Sequence, residues 1–328
     1  MAGGYDIGKA RKPRACRQNA SQIRRVPIGP GSKQRQKVQD KGTRMNRLFQ
    51  TSNGKLRWGW KAAILILGTI LFGVILNTLS MFILTIGYAS QGSPQEEMLQ
   101  RAAFAMSSIR VQVILSVLQV AFMLWLVRWL IAKAEKQPFD WSNLGLSREP
   151  HCPRLLSLGA LLAVILSWSA VGAGTALGTL EYQGNGFTLF SARQVVETLL
   201  LAALLAFASG FGEEIAFRGY LQSRIAERYN RAAAVIIVAV LFALSHPVAG
   251  VSNPLLYSLT AILVGILFGV LYVRTGSLWM GIALHSIWNY MQIAVLAIRR
   301  VLTLASSVLP CMYLTTSPVP RRCSLSWE

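Results

Sequence analysis

Seven apolar stretches, each close to the length of a membrane-spanning helix, dominate this sequence. They cover residues 62–88, 111–131, 155–177, 195–217, 232–248, 255–273 and 278–298. A helix needs roughly 20 predominantly apolar residues to cross a bilayer. The chain is 53% hydrophobic and only 14% charged, which is too apolar for an ordinary soluble domain. The sequence therefore predicts an all-α, polytopic transmembrane helix bundle with seven or eight spans. The eighth depends on residues 301–314, a short apolar stretch that contains Pro310.

Positive charge is concentrated at one end of the chain. Residues 1–61 hold 16 Lys or Arg against Asp6 and Asp40, which is a net +14 out of a total of +20. By the positive-inside rule this end stays cytoplasmic, and alternating spans bring the basic loop at residues 132–154 to the same side. We therefore expect a multi-pass protein of a plasma (inner) membrane or a thylakoid, with a cytoplasmic N-terminus.

The basic segment 1–61 has neither the apolar region of a signal peptide nor the pattern of a packed core, so we expect it to be disordered. Polybasic segments beside a first span commonly contact anionic lipid headgroups. An Arg-rich organellar transit peptide is the alternative. Aromatic residues are scarce among these charges, so no nucleic acid is expected as a partner.

The pattern Glu-Glu-x-x-x-Arg occurs twice, as EEMLQR at residues 96–101 and as EEIAFR at residues 213–218. The first lies in a polar loop, where Glu97 and Arg101 can form a solvated helical pair worth a few tenths of a kcal/mol. The second lies inside an apolar run, where each uncompensated charge costs at least about 2.5 kcal/mol on insertion scales. We expect only the second to carry chemistry. A buried ion pair that merely fixes helix packing is the alternative.

Two of the three histidines, His246 and His285, also lie in apolar runs. Counted from the nearest basic anchors at 1.5 Å per helical residue, Glu214, His246 and His285 lie roughly 21, 22 and 16 Å deep. Either histidine alone could be a packing residue. Their common depth instead predicts one polar cavity, and Asn289, one turn after His285, lies on the same helix face.

A carboxylate, an imidazole and an amide in one cavity can activate a water and stabilise the oxyanion that forms when this water attacks a carbonyl. These groups favour a hydrolase. Glu213, His246 and His285 could also bind a divalent metal such as zinc, although the chain has no HExxH motif. Metal-free and metal-dependent activation of water therefore both stay open.

These residues resemble the motifs of a known membrane-protease family. EEIAFR, FALSH at residues 242–246 and HSIWN at residues 285–289 follow one another in late apolar runs. They are similar to the EExxxR, FxxxH and HxxxN motifs of the CPBP intramembrane proteases, which include type II CAAX prenyl endopeptidases and bacteriocin-immunity relatives. The resemblance covers residues 195–295. It implies an intramembrane endopeptidase, often labelled a metalloprotease, that cuts a membrane-associated or prenylated peptide or protein.

The resemblance also implies a set of six catalytic residues, which are Glu213, Glu214, Arg218, His246, His285 and Asn289. Glu213 and His246 would activate the attacking water, and His285 with Asn289 would bind the carbonyl oxygen. The second glutamate and the arginine would shape the site and orient Glu213.

Two other functions use the same buried groups. A proton-coupled transporter needs titratable side chains within its spans, and a noncatalytic relative could bind a membrane partner. Asn289 favours hydrolysis, because an amide can stabilise an oxyanion but cannot relay protons. On the leading interpretation the chain consists of the basic segment 1–61, N-terminal helices at 62–190, catalytic helices at 191–298 and a tail at 299–328.

Overall fold

The computed structural model describes residues 56–148, 150–177, 180–181, 191–246, 253–295 and 299–300. In these ranges the chain forms eight helices. They are α1 (Trp58–Ser90), α2 (Gln95–Ser107), α3 (Ile109–Ala134), α4 (Cys152–Ala176), α5 (Ala192–Arg228), α6 (Arg231–Leu244), α7 (Pro254–Thr275) and α8 (Trp279–Tyr290, continued by Met291–Val295). A two-residue antiparallel pair joins β1 (Leu180–Glu181) to β2 (Arg299–Arg300).

Five of these helices, α1, α3, α4, α5 and α7, are long and apolar enough to cross a membrane, which confirms an all-α, multi-pass membrane protein. Helix α6 has only 14 residues, about 21 Å at 1.5 Å per residue. The α-helical part of α8 has 12 residues. Seven spans are therefore not established by helix length. The possible eighth span and residues 1–55 of the basic segment lie outside the described residues.

One expected helix boundary needs correction. The fifth apolar run predicts a helix that continues through His246 to Val248, but α6 ends at Leu244 with Ser245 as its C-cap. His246 directly precedes Pro247, and the proline ring disfavours helical geometry in the residue before it. His246 therefore lies just beyond the end of a helix and not inside one.

Helix α5 changes its winding at the EEIAFR stretch, residues 213–218. It starts at a capping box formed by Ser191 and Gln194, and it is α-helical as far as Glu214. Residues Ile215–Gln222 are π-helical, and α-helical geometry resumes at Ser223. All eight residues of the π-helical segment are buried. Wide turns of this kind occur mostly as local insertions and are frequent at functional sites.

The late helices approach one another closely around this segment. Helix α8 packs on α4 and α5, and α6 packs on α7. A Cβ atom at Gly159 of α4 would overlap the carbonyl oxygen of Met280, and one at Gly265 of α7 would lie 2.9 Å from the Cα of Ala239. Contacts of this kind between small residues are the usual means of helix association in membranes. In this packing, polar side chains of α5 and α8 and a backbone carbonyl of α7 lie within hydrogen-bonding reach of one another.

Candidate active site

Arg218, in the π-helical segment of α5, is fixed from several directions. Its Nη1 donates to Oε1 of Glu214 at 2.9 Å, and its Nη2 donates to the carbonyl oxygen of Gly265 at 3.4 Å. The guanidinium carbon lies 4.5 and 4.9 Å from the ring centroids of Phe242 and Phe268. The side chains of Arg218 and Glu214 are 0% and 1% exposed. This ion pair is therefore fully desolvated and held between two aromatic rings.

His285 of α8 binds the same glutamate. Its Nδ1 lies 3.0 Å from Oε1 of Glu214. That carboxylate also accepts from Arg218, so the imidazole Nδ1 is the donor of this bond. The imidazole ring stacks on Phe268 at a centroid distance of 5.0 Å. In the neutral ring the proton on Nδ1 leaves Nε2 as a hydrogen-bond acceptor.

His246 is oriented by its own helix end. Its Nδ1 lies 2.7 Å from the carbonyl oxygen of Phe242. A carbonyl oxygen can only accept, so Nδ1 donates, and Nε2 of the neutral ring again carries no proton. The early end of α6 makes this arrangement possible, because the carbonyl groups of a last helical turn lack partners within the helix.

Glu213 lies between the two histidines. Its Oε2 is 3.8 Å from Nε2 of His246 and 3.8 Å from Nε2 of His285. This oxygen is buried and has no hydrogen-bond partner among the described residues. Three acceptor atoms thus converge on one point. The side chains of Glu213 and His246 are 26% and 27% exposed, so this part of the site is open at one side, whereas the Glu214–Arg218 pair is sealed.

The three converging atoms are of the types that bind zinc, and each imidazole is anchored through its other nitrogen, as is usual for metal ligands. The two separations from Oε2 of Glu213 to the Nε2 atoms, 3.8 Å each, are wider than the roughly 3.4 Å between ligands of a tetrahedral zinc. The described residues contain no group of three His, Cys, Asp or Glu side chains that could hold a metal. The set Glu213, His246 and His285 would have to draw together before it could do so.

Asn289 faces α5 but is hydrogen-bonded there to Ser209, and not to Glu213 or Glu214. Its Nδ2 donates to Oγ of Ser209 at 3.1 Å, and that hydroxyl donates to the carbonyl oxygen of Ala206 at 3.3 Å. Ser209 is one turn before Glu213, as Asn289 is one turn after His285. No hydrogen bond connects Asn289 to either histidine in the part of the chain that the structure describes.

Five of the six expected site residues are therefore joined by contacts of 3.8 Å or less. The sixth, Asn289, is hydrogen-bonded to Ser209, on the same helix as Glu213. Sequence reasoning did not find Ser209, although its position four residues before Glu213 is a helical signal. It also missed Phe268 and the carbonyl of Gly265. Those two come from α7, which carries no titratable residue at this level, so only tertiary packing reveals them.

The fold and this site define a multi-pass membrane protein with a buried Glu–Arg–His cluster. Comparison with protein families gives a match over residues 195–291 to the model described as "Type II CAAX prenyl endopeptidase Rce1-like". No curated protein and no solved structure matches the chain. The match includes all six expected site residues and confirms the resemblance noted from the motifs. Over these residues the chain is similar to the Rce1-like type II CAAX prenyl endopeptidases, a family of membrane proteases.

Proposed function

We propose that this protein is an intramembrane endopeptidase that hydrolyses a peptide bond of a membrane-associated or prenylated substrate, with water activated by Glu213 and His246. The observation that carries the proposal is the buried, unpartnered Oε2 of Glu213, which faces the Nε2 atoms of both His246 and His285 at 3.8 Å. Oε2 of Glu213 and Nε2 of His246 are both acceptors, so together they suit a molecule that can donate two hydrogen bonds.

One water molecule meets that requirement. The 3.8 Å between Oε2 of Glu213 and Nε2 of His246 is less than two hydrogen bonds end to end, about 5.6 Å. A water between them donates one proton to each acceptor and keeps its lone pairs free for attack. Because Oε2 is closed to bulk solvent, the partly exposed Glu213 side chain has to turn slightly to admit the water.

The hydrolysis then needs only one proton carrier. As the water oxygen attacks the carbonyl carbon, Glu213 accepts the proton, and the carbonyl oxygen becomes an oxyanion. When the C–N bond breaks, Glu213 returns that proton to the leaving amine. The products are a carboxylic acid and an amine, and the glutamate is ionised again.

Stabilisation of the oxyanion is assigned to α8. The amide of Asn289 has two N–H donors, and its bond to Ser209 uses one of them. Nε2 of His285, an acceptor in the neutral ring, becomes a second donor to the oxyanion when the ring also carries a proton there, with Nδ1 held by Glu214. Arg218 keeps that glutamate in place, so Glu214 and Arg218 are positioning residues in this scheme.

We also infer that α6 and α8 complete a bundle of seven spans, with the basic N-terminus in the cytoplasm. A short or broken helix is tolerated at membrane depth where it lines a polar cavity. Helix α6 ends just before His246, and this end lines the proposed polar cavity. The catalytic helices would then occupy residues 191–298, in a plasma (inner) membrane or a thylakoid.

The test is cleavage of a quenched fluorescent peptide library, part of it prenylated, by purified protein in lipid nanodiscs, with and without a chelator. We expect cleavage of at least one class of peptide that persists with the chelator. Abolition by the chelator, followed by restoration with added zinc, would contradict the metal-free scheme. Proton flux into proteoliposomes without cleavage of any peptide would favour the transporter.

A further inference from the structure

A small cavity lies on the outer surface of α3, far along the chain from the catalytic residues. It has a volume of about 190 Å³ and is lined by Trp125, Arg128, Trp129, Ala132 and Lys133. These positions follow one another at spacings that place them on one stripe of a helix. They occupy the last turns of the candidate span Ile109–Ala134, where a helix leaves the hydrocarbon and enters the headgroup region.

The stripe faces away from the protein. Trp125 and Trp129 are 55% and 40% exposed, whereas Leu126, Val127 and Leu130 on the other side of the helix are buried. On a membrane span, exposed apolar surface contacts lipid. Tryptophan is enriched at this level because its ring is amphipathic.

The two cations of the cavity have no acidic partner in the part of the chain that the structure describes. Neither Arg128 nor Lys133 forms an ion pair with any described residue, and the guanidinium of Arg128 lies 5.2 Å from the ring centroid of Phe139. The acidic residue nearest along the chain, Glu135, is buried and is bound by Lys61 and Arg224. The cavity therefore presents two positive charges that nothing in the described protein neutralises.

An apolar track leads from the cavity along the same helix. Ile114, Val117 and Leu118 lie two to three turns before Trp125, and all three are exposed. Their spacing from Trp125, at 11, 8 and 7 residues, continues the stripe that lines the cavity. A ligand with an anionic head and a long apolar tail would match both features at once, whereas a soluble anion would match only the first.

We propose that this cavity binds the headgroup phosphate of an anionic phospholipid, whose acyl chains lie along the exposed face of α3. A volume of about 190 Å³ is below the roughly 300–1,000 Å³ of pockets that enclose a whole small molecule, but it suits a headgroup whose tails remain outside. Arg128 and Lys133 supply the charge, and the two tryptophans border the phosphate. This site is separate from the proposed proteolysis and does not depend on it.

The experiment is native mass spectrometry of the full chain in detergent, titrated with phosphatidylglycerol or with phosphatidylcholine. The test variant is Arg128→Gln/Lys133→Gln. The matched control, Arg148→Gln/Arg154→Gln, removes two exposed positive charges near the same end of the helix bundle. All three proteins keep the basic segment 1–61, so its attraction for anionic lipid cancels in the ratios. All four positions are exposed, so both variants are expected to fold.

We expect phosphatidylglycerol to bind the wild type about 30-fold more tightly than the test variant. Arg128 and Lys133 line the cavity, whereas Arg148 and Arg154 do not, and each basic residue beside an anionic headgroup contributes about fivefold. The control should stay within about threefold of the wild type, and phosphatidylcholine should not distinguish the proteins. Equal losses in test and control variants, or equal affinity for the two lipids, would overturn the proposal. Displacement of the lipid by glycerol phosphate at similar concentrations would also overturn it, because the ligand would then be a soluble anion.

Discussion

The two Glu-Glu-x-x-x-Arg stretches form nearly the same bond in opposite surroundings. In α2 the Glu97–Arg101 pair is 2.8 Å long, and its side chains are 50% and 53% exposed. In α5 the Glu214–Arg218 pair is 2.9 Å long and fully buried. Solvated pairs of the first kind contribute a few tenths of a kcal/mol. A buried pair must satisfy its remaining donors and acceptors within the protein. The same sequence pattern therefore demands more hydrogen-bond partners from its surroundings in α5 than in α2.

In α5 the surroundings meet most of those demands, and of the Arg218 nitrogens only the buried Nε has no hydrogen-bond partner among the described residues. Arg101 has one further contact, to the hydroxyl of Ser93 at 3.2 Å. Arg218 has a backbone carbonyl and two aromatic rings, and its partner Glu214 also binds His285. The comparison shows that burial and neighbours, and not the pattern of letters, distinguish a candidate site from a surface ion pair.

After replacement of Glu213 itself, the largest expected effect on activity comes from replacement of His246. His246→Ala removes one of the two acceptors proposed to hold the water, and general-base assistance is worth about 10²–10⁴ in rate. We expect kcat/KM for peptide cleavage to fall at least about 100-fold. His151→Ala is the control, because His151 is exposed in the loop before α4 and should leave cleavage unchanged. Similar losses in the two variants would break the distinction between site and surface.

Replacing the arginine of each ion pair should distinguish the two pairs by the loss in the free energy of unfolding. Arg218→Ala leaves Glu214 buried with one partner fewer, and loss of one member of a buried pair costs about 3–5 kcal/mol. Arg101→Ala should cost less than about 0.5 kcal/mol, as an exposed pair. The measurement is the free energy of unfolding in mixed micelles. Equal losses for the two variants would show that burial does not set the strength of these pairs.

A smaller effect tests how tightly the buried carboxylate of Glu214 is packed. A Cβ atom at Gly281 would lie 3.1 Å from Oε2 of Glu214, whereas one at Gly87 would meet nothing within 4 Å. Gly281→Ala should push Glu214 by a few tenths of an ångström and disturb His285. We expect kcat to fall about tenfold, in line with the sensitivity of catalysis to misplacement. Gly87→Ala should leave kcat unchanged, and a tenfold loss there would refute this account.

The smallest effect concerns the proposed orientation of Asn289. Ser209→Ala removes the acceptor of its amide, and a hydrogen bond of this kind contributes about 0.5–1.5 kcal/mol. We expect kcat to fall about fivefold with KM unchanged. Ser107→Ala is the matched control, because Ser107 also donates to the carbonyl three residues earlier but touches no site residue. A change in KM alone would argue that Ser209 acts in substrate binding instead.

Much of this architecture could be predicted from particular residues. Apolar runs predicted the long helices but not α2, whose residues were expected in a polar loop. The EEIAFR stretch predicted a buried ion pair with Arg218 but not which of the two glutamates forms it. The early end of α6 had a signal in Pro247, but a hydropathy average counts the residues around it as apolar and extends the helix. The π-helical turn from Ile215 has no comparable signal. It depends on packing between helices, as do the contacts that Phe268 brings from α7.

The most direct measurement is kcat/KM for the best-cleaved peptide with Glu213→Gln and Glu97→Gln, side by side with the wild type in nanodiscs. Gln keeps the shape of Glu but cannot accept the proton from water. The account predicts a loss of about 10³-fold or more for Glu213→Gln, in the range of general-base catalysis, and no loss for Glu97→Gln. Cleavage by folded Glu213→Gln at the wild-type rate would contradict the claim that Glu213 activates the water.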